Sequence, residues 1–377
     1  MTACEFVARR LNAPVNYLRH LFDNFSGLVI DLEGSLINRD LFHQAILGKA
    51  KAIMNELKRD ILHCIGNTSL LALRNIVPEN GSRILLKMES ENPTGSMKDR
   101  MALAMIEAAE ADGRLTAGGS VVEYTGGSTG VSLSLVCAVK RYPLYIVTSD
   151  AFAQEKLDHM KILGARLQIV PSESGRMTEK LTRDMVEAAR VIAAKTGAFW
   201  TDQLNNKDQL AAYDKMAHEI WIQTGGRIDG FVQMVGTSAS LRGNGEALRR
   251  RNKQIRIIAV EPSESPVLSG GQAGAHKIDG VGAGFVVPLW QEGVADHIEQ
   301  VSTQEAVAMA LRLAREEGLF AGTSTGGNVV AALRLAEHLG PDATIVTVLC
   351  DTGMKYLRNF RDELSKGDSA LHDASEK

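Results

Sequence analysis

From about residue 60 onward the chain alternates short apolar, β-prone runs with longer stretches of helical period, and this alternation most narrows what it can fold into. Parallel neighbours need a crossover connection, so a repeated strand–helix order specifies an α/β fold with parallel sheets covered by helices. Strands are predicted over 84–88, 121–124, 144–148, 166–170, 231–235, 255–260 and 344–349. Helices are predicted over 97–111, from 130 to about 140, and over 153–163, 178–195, 208–224, 303–317 and 326–339. Met101, Met105, Ile106 and Ala109 share one face of the first of these, which Gly113 ends. Ser302 and Glu305 form a capping-box pattern ahead of the helix at 303. Residues 1–58 differ in kind: Phe42, Ile46, Ala50, Ile53 and Leu57 recur at helical spacing, which predicts a helical N-terminal extension with an apolar stripe. The small and charged residues 366–377 read as a disordered tail.

Composition excludes several classes. The chain has 377 residues, enough for two packed cores, and its 42 Lys+Arg against 45 Asp+Glu leave a net charge of −3. Nucleic acid or an anionic membrane would favour a clustered basic excess, and Arg249-Arg250-Arg251 is the sole run of three basic residues. The most apolar stretch, 131–139, is far shorter than the roughly 20 residues that span a bilayer. No apolar signal core precedes Glu33, so a cytoplasmic location is expected. Cys4, Cys64, Cys137 and Cys350 are too dispersed for a disulfide scaffold or a cysteine-rich metal site, and the histidines form no pair at helical ligand spacing, so no catalytic metal is expected.

Four segments can carry chemistry. Asn92-Pro93-Thr94-Gly95-Ser96-Met97-Lys98-Asp99-Arg100 places Lys98 in the first turn of a helix, where the helix dipole lowers an amine's affinity for its proton. Thr125-Gly126-Gly127-Ser128-Thr129-Gly130 follows a strand, and its small residues let several backbone N–H groups converge on an anion. Gly236-Thr237-Ser238-Ala239-Ser240 repeats that logic with added hydroxyls. Both loops and Lys98 stand at strand C-terminal ends, where an α/β sheet binds its ligand. Gly322-Thr323-Ser324-Thr325-Gly326 fits a nucleophile-elbow pattern, and with Asp351 and His372 it keeps a serine hydrolase open as a rival reading.

In this order the segments resemble the fold-type II pyridoxal-phosphate enzymes, most closely the cysteine synthase and cystathionine β-synthase family. The likeness runs from about Ile65 to Leu357. Ile65-Gly66-Asn67-Thr68-Ser69-Leu70 resembles the family's I-G-N-T-P-L, and 92–100 its N-P-x-x-S-x-K-D-R. Glu261-Pro262 with Ser265-Pro266 and Leu268 resembles E-P-x-x-S-P-x-L, and 276–285 resembles H-K-I-Q-G-I-G-A-G-F. The resemblance implies two interdigitated α/β domains of the tryptophan synthase β-like kind: a larger one from 59–95 and 206–365, and a smaller one from 96–205. It implies pyridoxal 5′-phosphate as cofactor, carried by Lys98. Ser128, Gly236, Thr237, Ser238, Ala239, Ser240 and Ser324 would also contact it, with Ser324 facing the pyridine nitrogen. Thr125, Gly126, Gly127, Ser128, Thr129 and Gln203 would bind the amino-acid substrate, with Gly280 at the mouth of the site. The implied activity is β-replacement on an activated serine, O-acetylserine and sulfide giving cysteine and acetate, by a homodimer. Alternatives are another replacement or elimination of the cystathionine β-synthase or dehydratase kind, or a non-catalytic cofactor-binding protein. The chain departs from the family at Ser128, where asparagine is usual, at Gly126, where serine is usual, and at Leu204, where phenylalanine is common. At 238–240 it has Ser-Ala-Ser in place of Gly-Gly-Thr.

Overall fold

The computed structural model describes residues 58–77, 81–173, 178–358 and 360; all but the last residue of the extension expected at 1–58, and the tail at 366–377, lie outside the described residues. Two sheets form. Val121–Tyr124 (β3), Leu144–Ser149 (β4), Arg166–Val170 (β5) and Phe199–Trp200 (β6) make an all-parallel sheet in the order β5-β4-β3-β6. Leu70–Ala72 (β1), Arg83–Met88 (β2), Gly230–Met234 (β7), Arg256–Pro262 (β8), His297–Val301 (β9) and Thr344–Leu349 (β10) make the other, in the order β1-β2-β10-β7-β8-β9. In that sheet only β1 runs antiparallel to its neighbour.

Burial explains the strand sequences. Every residue of β7 and β10 is buried, because helices cover both faces, and such strands read as continuous rather than alternating apolar runs. Helices Lys98–Asp112 (α1), Gln209–Gln223 (α5) and Ala239–Arg251 (α6) supply one side of the larger sheet's core, and Thr303–Glu316 (α7) with Thr323–Leu339 (α8) the other. Ser128–Lys140 (α2), Gln154–Ile162 (α3) and Glu179–Thr196 (α4) pack around the smaller sheet. Met101, Met105, Ile106 and Ala109 are fully buried, as their spacing predicts, and Gly113 closes α1 in the left-handed region. The capping box at Ser302 and Glu305 is formed.

Three short strands escape the sequence pattern: β1 and β6 are too short to show a period, and β9 carries polar residues on the sheet edge. The helix expected from 326 begins at Thr323 instead, which brings Ser324 into its first turn. β7 and β10 pair only at Gly230–Ile345 and Phe231–Val346. Beyond that point Asn328 of α8 takes over the pairing, accepting from Met234 N at 2.6 Å and donating to Val348 O at 2.8 Å. The sheet therefore parts toward its C-terminal edge, and the parted edge faces the candidate site.

Candidate active site

The site is assembled around the end of β10. Met97 N donates to Cys350 O at 2.8 Å, Thr352 N to Gly95 O at 2.9 Å and Gly322 N to Asp351 O at 3.2 Å. These bonds knit the entries of α1 and α8 to one strand end. Lys98 consequently opens α1 beside Cys350, whose buried Sγ accepts from Asn328 Nδ2 of α8 at 3.4 Å. Burial pushes that thiol up to about 12, so Cys350 is no nucleophile at neutral pH.

Lys98 is held by its sequence neighbours. Asp99 is fully buried and accepts from Thr94 N at 2.7 Å, Thr94 Oγ1 at 2.5 Å and Ser132 Oγ at 2.5 Å. Arg100 grips Glu89 through Nε at 2.7 Å and Nη2 at 2.8 Å, and Glu219 through Nη1 at 2.7 Å and Nη2 at 2.8 Å. Glu89 also accepts from Thr68 Oγ1 at 2.8 Å and Asn92 Nδ2 at 2.8 Å, while Asn92 Oδ1 receives Gly66 N at 2.8 Å. The adjacent Arg100 and Lys87 hold Glu219 down at about 2 despite burial, so Glu219 stays charged. One connected set of buried polar bonds thus accounts for the 65–70 and 92–100 motifs: they fix the start of α1.

The loop 125–130 lies opposite. Thr129 Oγ1 donates to Gln203 Oε1 at 2.9 Å, and Gln203 Nε2 donates to Tyr124 O at 3.0 Å, so Gln203 is locked onto this loop. Behind it, fully buried Glu123 accepts from Tyr124 N, Thr201 Oγ1 and Gln203 N at 2.8, 2.6 and 3.0 Å, and burial pushes its carboxyl up to about 7. Gly126 is required where it stands: a Cβ there would lie 1.8 Å from the Phe152 ring. Ser128 Oγ donates to Asp351 Oδ2 at 2.8 Å, and Tyr356 Oη donates to the same oxygen at 2.7 Å.

The loop 236–240 begins α6. Gly236 packs so closely on the 280 segment that a Cβ would approach Gly280 O to 2.4 Å, and Gly282 N donates to Val235 O at 3.0 Å. Ser238 sits in the left-handed region at φ 71°, and its buried Oγ has no partner among the described residues. A strained residue and an unpartnered hydroxyl at a helix start suit an anion. Ser240 Oγ is spent on Gln233 Oε1 at 2.7 Å, and Thr237 Oγ1 points to Gln209 Oε1 at 3.4 Å. The loop's backbone N–H groups and Ser238 therefore fit a phosphate, with Ser240 serving to brace them.

Comparison with known proteins decides the family. The sequence pattern described as "Pyridoxal-phosphate dependent enzyme" matches residues 61–351. The chain belongs to this family. It is a pyridoxal-phosphate dependent enzyme with the mixed α/β, fold-type II architecture. It is 37% identical over 300 residues to a cysteine synthase of Staphylococcus aureus, covering 79% of this chain and 95% of that protein. A crystal structure of cysteine synthase from Entamoeba histolytica superposes with a TM-score of 0.77 at 35% identity, covering 81% of this chain and 91% of the other. A structure of O-ureido-L-serine synthase gives 0.75 at 34% identity, covering 80% and 94%.

For this family member the hydrolase reading gives way. Asp351 serves Ser128 and Tyr356, His372 lies outside the described residues, and no described histidine is hydrogen-bonded to Ser324. Contacts link the segments in series: Ser128 of the 125–130 loop bonds Asp351 beside the start of α8, Asp279 N donates to Thr323 Oγ1 of α8 at 3.3 Å, and Gly236 packs on Gly280. Sequence reasoning did not single out Glu123, Phe152, Lys156, Asp279, Lys355 or Tyr356. Glu123, a carboxylate inside an apolar strand, was the one with a readable signal; the others are linked only by tertiary contact.

Proposed function

We propose that the enzyme catalyses β-replacement on an activated serine such as O-acetylserine, with sulfide as the nucleophile, yielding cysteine and acetate. The observation that carries this reading is that the end of β10, through Cys350 O and Asp351 O, joins the entries of the two helices whose first turns hold Lys98 and Ser324. The bound cofactor supplies an electron sink that lets the Cα–H bond of an amino acid break and its β-substituent depart. Lys98 is the covalent anchor and, once released, the base that takes the Cα proton and later returns it. The N–H groups at 236–240 with Ser238 hold the cofactor phosphate. Ser324 offers the pyridine nitrogen a hydroxyl instead of a carboxylate, which leaves that nitrogen largely unprotonated and favours elimination over transamination. Thr125, Gly126, Gly127, Ser128 and Thr129 with Gln203 bind the substrate carboxylate, and Gly280 lines the mouth.

The same reading assigns residues 96–205 to a smaller domain and 59–95 with 206–365 to a larger one, with the cofactor between them. It also takes the enzyme to be a cytoplasmic homodimer, to which the extension at 1–58 contributes; sizing the chain with and without those residues tests this. The deciding experiment is borohydride reduction of the reconstituted protein followed by peptide mapping, together with cysteine formation from O-acetylserine and sulfide. A pyridoxyl adduct on Lys98 and steady turnover are expected. An adduct elsewhere, or none, overturns the assignment of Lys98.

A further inference from the structure

Helix α2 is pinned by two of its serines. Ser128 and Ser132 stand one turn apart, so their side chains share one face of the helix. Ser128 Oγ donates to Asp351 Oδ2 at 2.8 Å, and Ser132 Oγ donates to Asp99 Oδ1 at 2.5 Å. All four residues are buried, where a hydroxyl bonded to a carboxyl group is held more firmly than in water. The two acceptors flank Lys98. Asp99 follows it in the chain, and Asp351 lies in the strand end that bonds the residues just before it, Met97 N to Cys350 O and Thr352 N to Gly95 O. Each acceptor is itself fixed: Asp351 Oδ2 also receives Tyr356 Oη at 2.7 Å, and Asp99 receives Thr94 through its N–H at 2.7 Å and its hydroxyl at 2.5 Å. The helix that starts in the 125–130 loop is thus tied at two points to the segments that fix Lys98. The Ser128 hydroxyl is spent in this arrangement, so what Ser128 leaves for a substrate is its backbone N–H, at a helix start where N–H groups lack intrahelical acceptors.

We propose that Ser128 and Ser132, with Asp351 and Asp99, form a clamp that pre-organises the 125–130 loop against Lys98. The two serines are positioning residues, and their hydroxyls touch neither substrate nor cofactor. This rests on the β-replacement reading above, in which the loop takes the α-carboxylate and Lys98 addresses Cα. A loop already held in place binds a carboxylate without having to be ordered by it, and a fixed offset from Lys98 delivers Cα to the amine. Capture of a free amino acid belongs only to the first half of a replacement reaction, so the clamp acts there and not on the arrival of the nucleophile.

The test uses the reconstituted full-length enzyme and its Ser128→Ala, Ser132→Ala and doubly substituted variants, with O-acetylserine and sulfide. Each single variant is expected to lower kcat/KM for O-acetylserine by about tenfold, the loss of one hydrogen bond to a carboxyl group, while kcat/KM for sulfide stays within about twofold. A variant that is merely less well folded loses both alike, and equal losses overturn the proposal, as does an unchanged kcat/KM for O-acetylserine in the double variant. The absorbance maximum of the loaded Ser128→Ala enzyme is expected to match the wild type; a shift would put that hydroxyl on the cofactor and overturn its place in the clamp. Amide exchange of the cofactor-free protein keeps this proposal apart from the reading beneath it. Exchange across 125–130 is expected to quicken about tenfold in the double variant, and exchange at the wild-type rate overturns the clamp. Should the wild type turn over no O-acetylserine, the β-replacement reading fails while exchange still decides the clamp.

Discussion

Gly126→Ala tests how tightly the substrate loop and the ring above it are matched. A Cβ at this position meets three Phe152 ring atoms, at 1.8, 1.9 and 2.3 Å. Carbon atoms settle at about 3.5–4.0 Å, so ring or loop must retreat by roughly 1.5–2 Å. Partly buried Phe152 packs against both the large apolar cluster and the one around β3, β4 and α4, so a retreating ring gives up contact with them. Overpacking of this kind costs about 1–3 kcal/mol. Phe152→Ala removes the obstacle at the cost of its own burial. In Gly126→Ala/Phe152→Ala the clash is gone, and the double variant should be more stable than the sum of the single losses by about 1–3 kcal/mol. Urea unfolding of the cofactor-loaded proteins at one pH reads this coupling directly, and titration with O-acetylserine reads its effect on the substrate loop. Losses that add to within about 0.5 kcal/mol would show that ring and glycine do not constrain each other.

Other consequences follow from the buried charges. Glu123 has its carboxyl raised to about 7 in the fold from 4.5, so it binds its proton more tightly folded than unfolded. The stability this confers is complete below pH 4.5 and is lost as pH rises through 7, amounting to about 3 kcal/mol. Denaturant titrations from pH 4.5 to 8 should show that component in the wild type and not in Glu123→Gln; identical pH profiles would refute it. Arg100→Met strands fully buried Glu89 and should cost about 3–5 kcal/mol in urea unfolding, with weaker cofactor retention because the start of α1 loosens. Lys98→Ala should abolish the borohydride-stable adduct while leaving the unfolding midpoint of the cofactor-free protein close to the wild type, since Lys98 is absent from the buried network around Asp99 and Arg100.

The chain's own order of residues determined the α/β class, most helix and strand positions and the helix stops, and it marked the segments of the candidate site. These are local properties: apolar period, caps and small-residue turns act within a few positions of themselves. The 92–100 segment illustrates the limit, because its spacing places Lys98 at a helix start yet says nothing of Glu219, which lies 119 positions away from Arg100 and anchors it. The length of β9 and the three extra residues of α8 were likewise hidden, since an edge strand's polar residues and a helix's first turn acquire their conformation from the neighbours they pair with. Only the tertiary structure set Phe152 on Gly126 and joined Ser128 and Tyr356 to one oxygen of Asp351. Whether a buried donor is satisfied depends on which distant segments folding brings within about 3 Å, and no periodicity in the sequence encodes that distance.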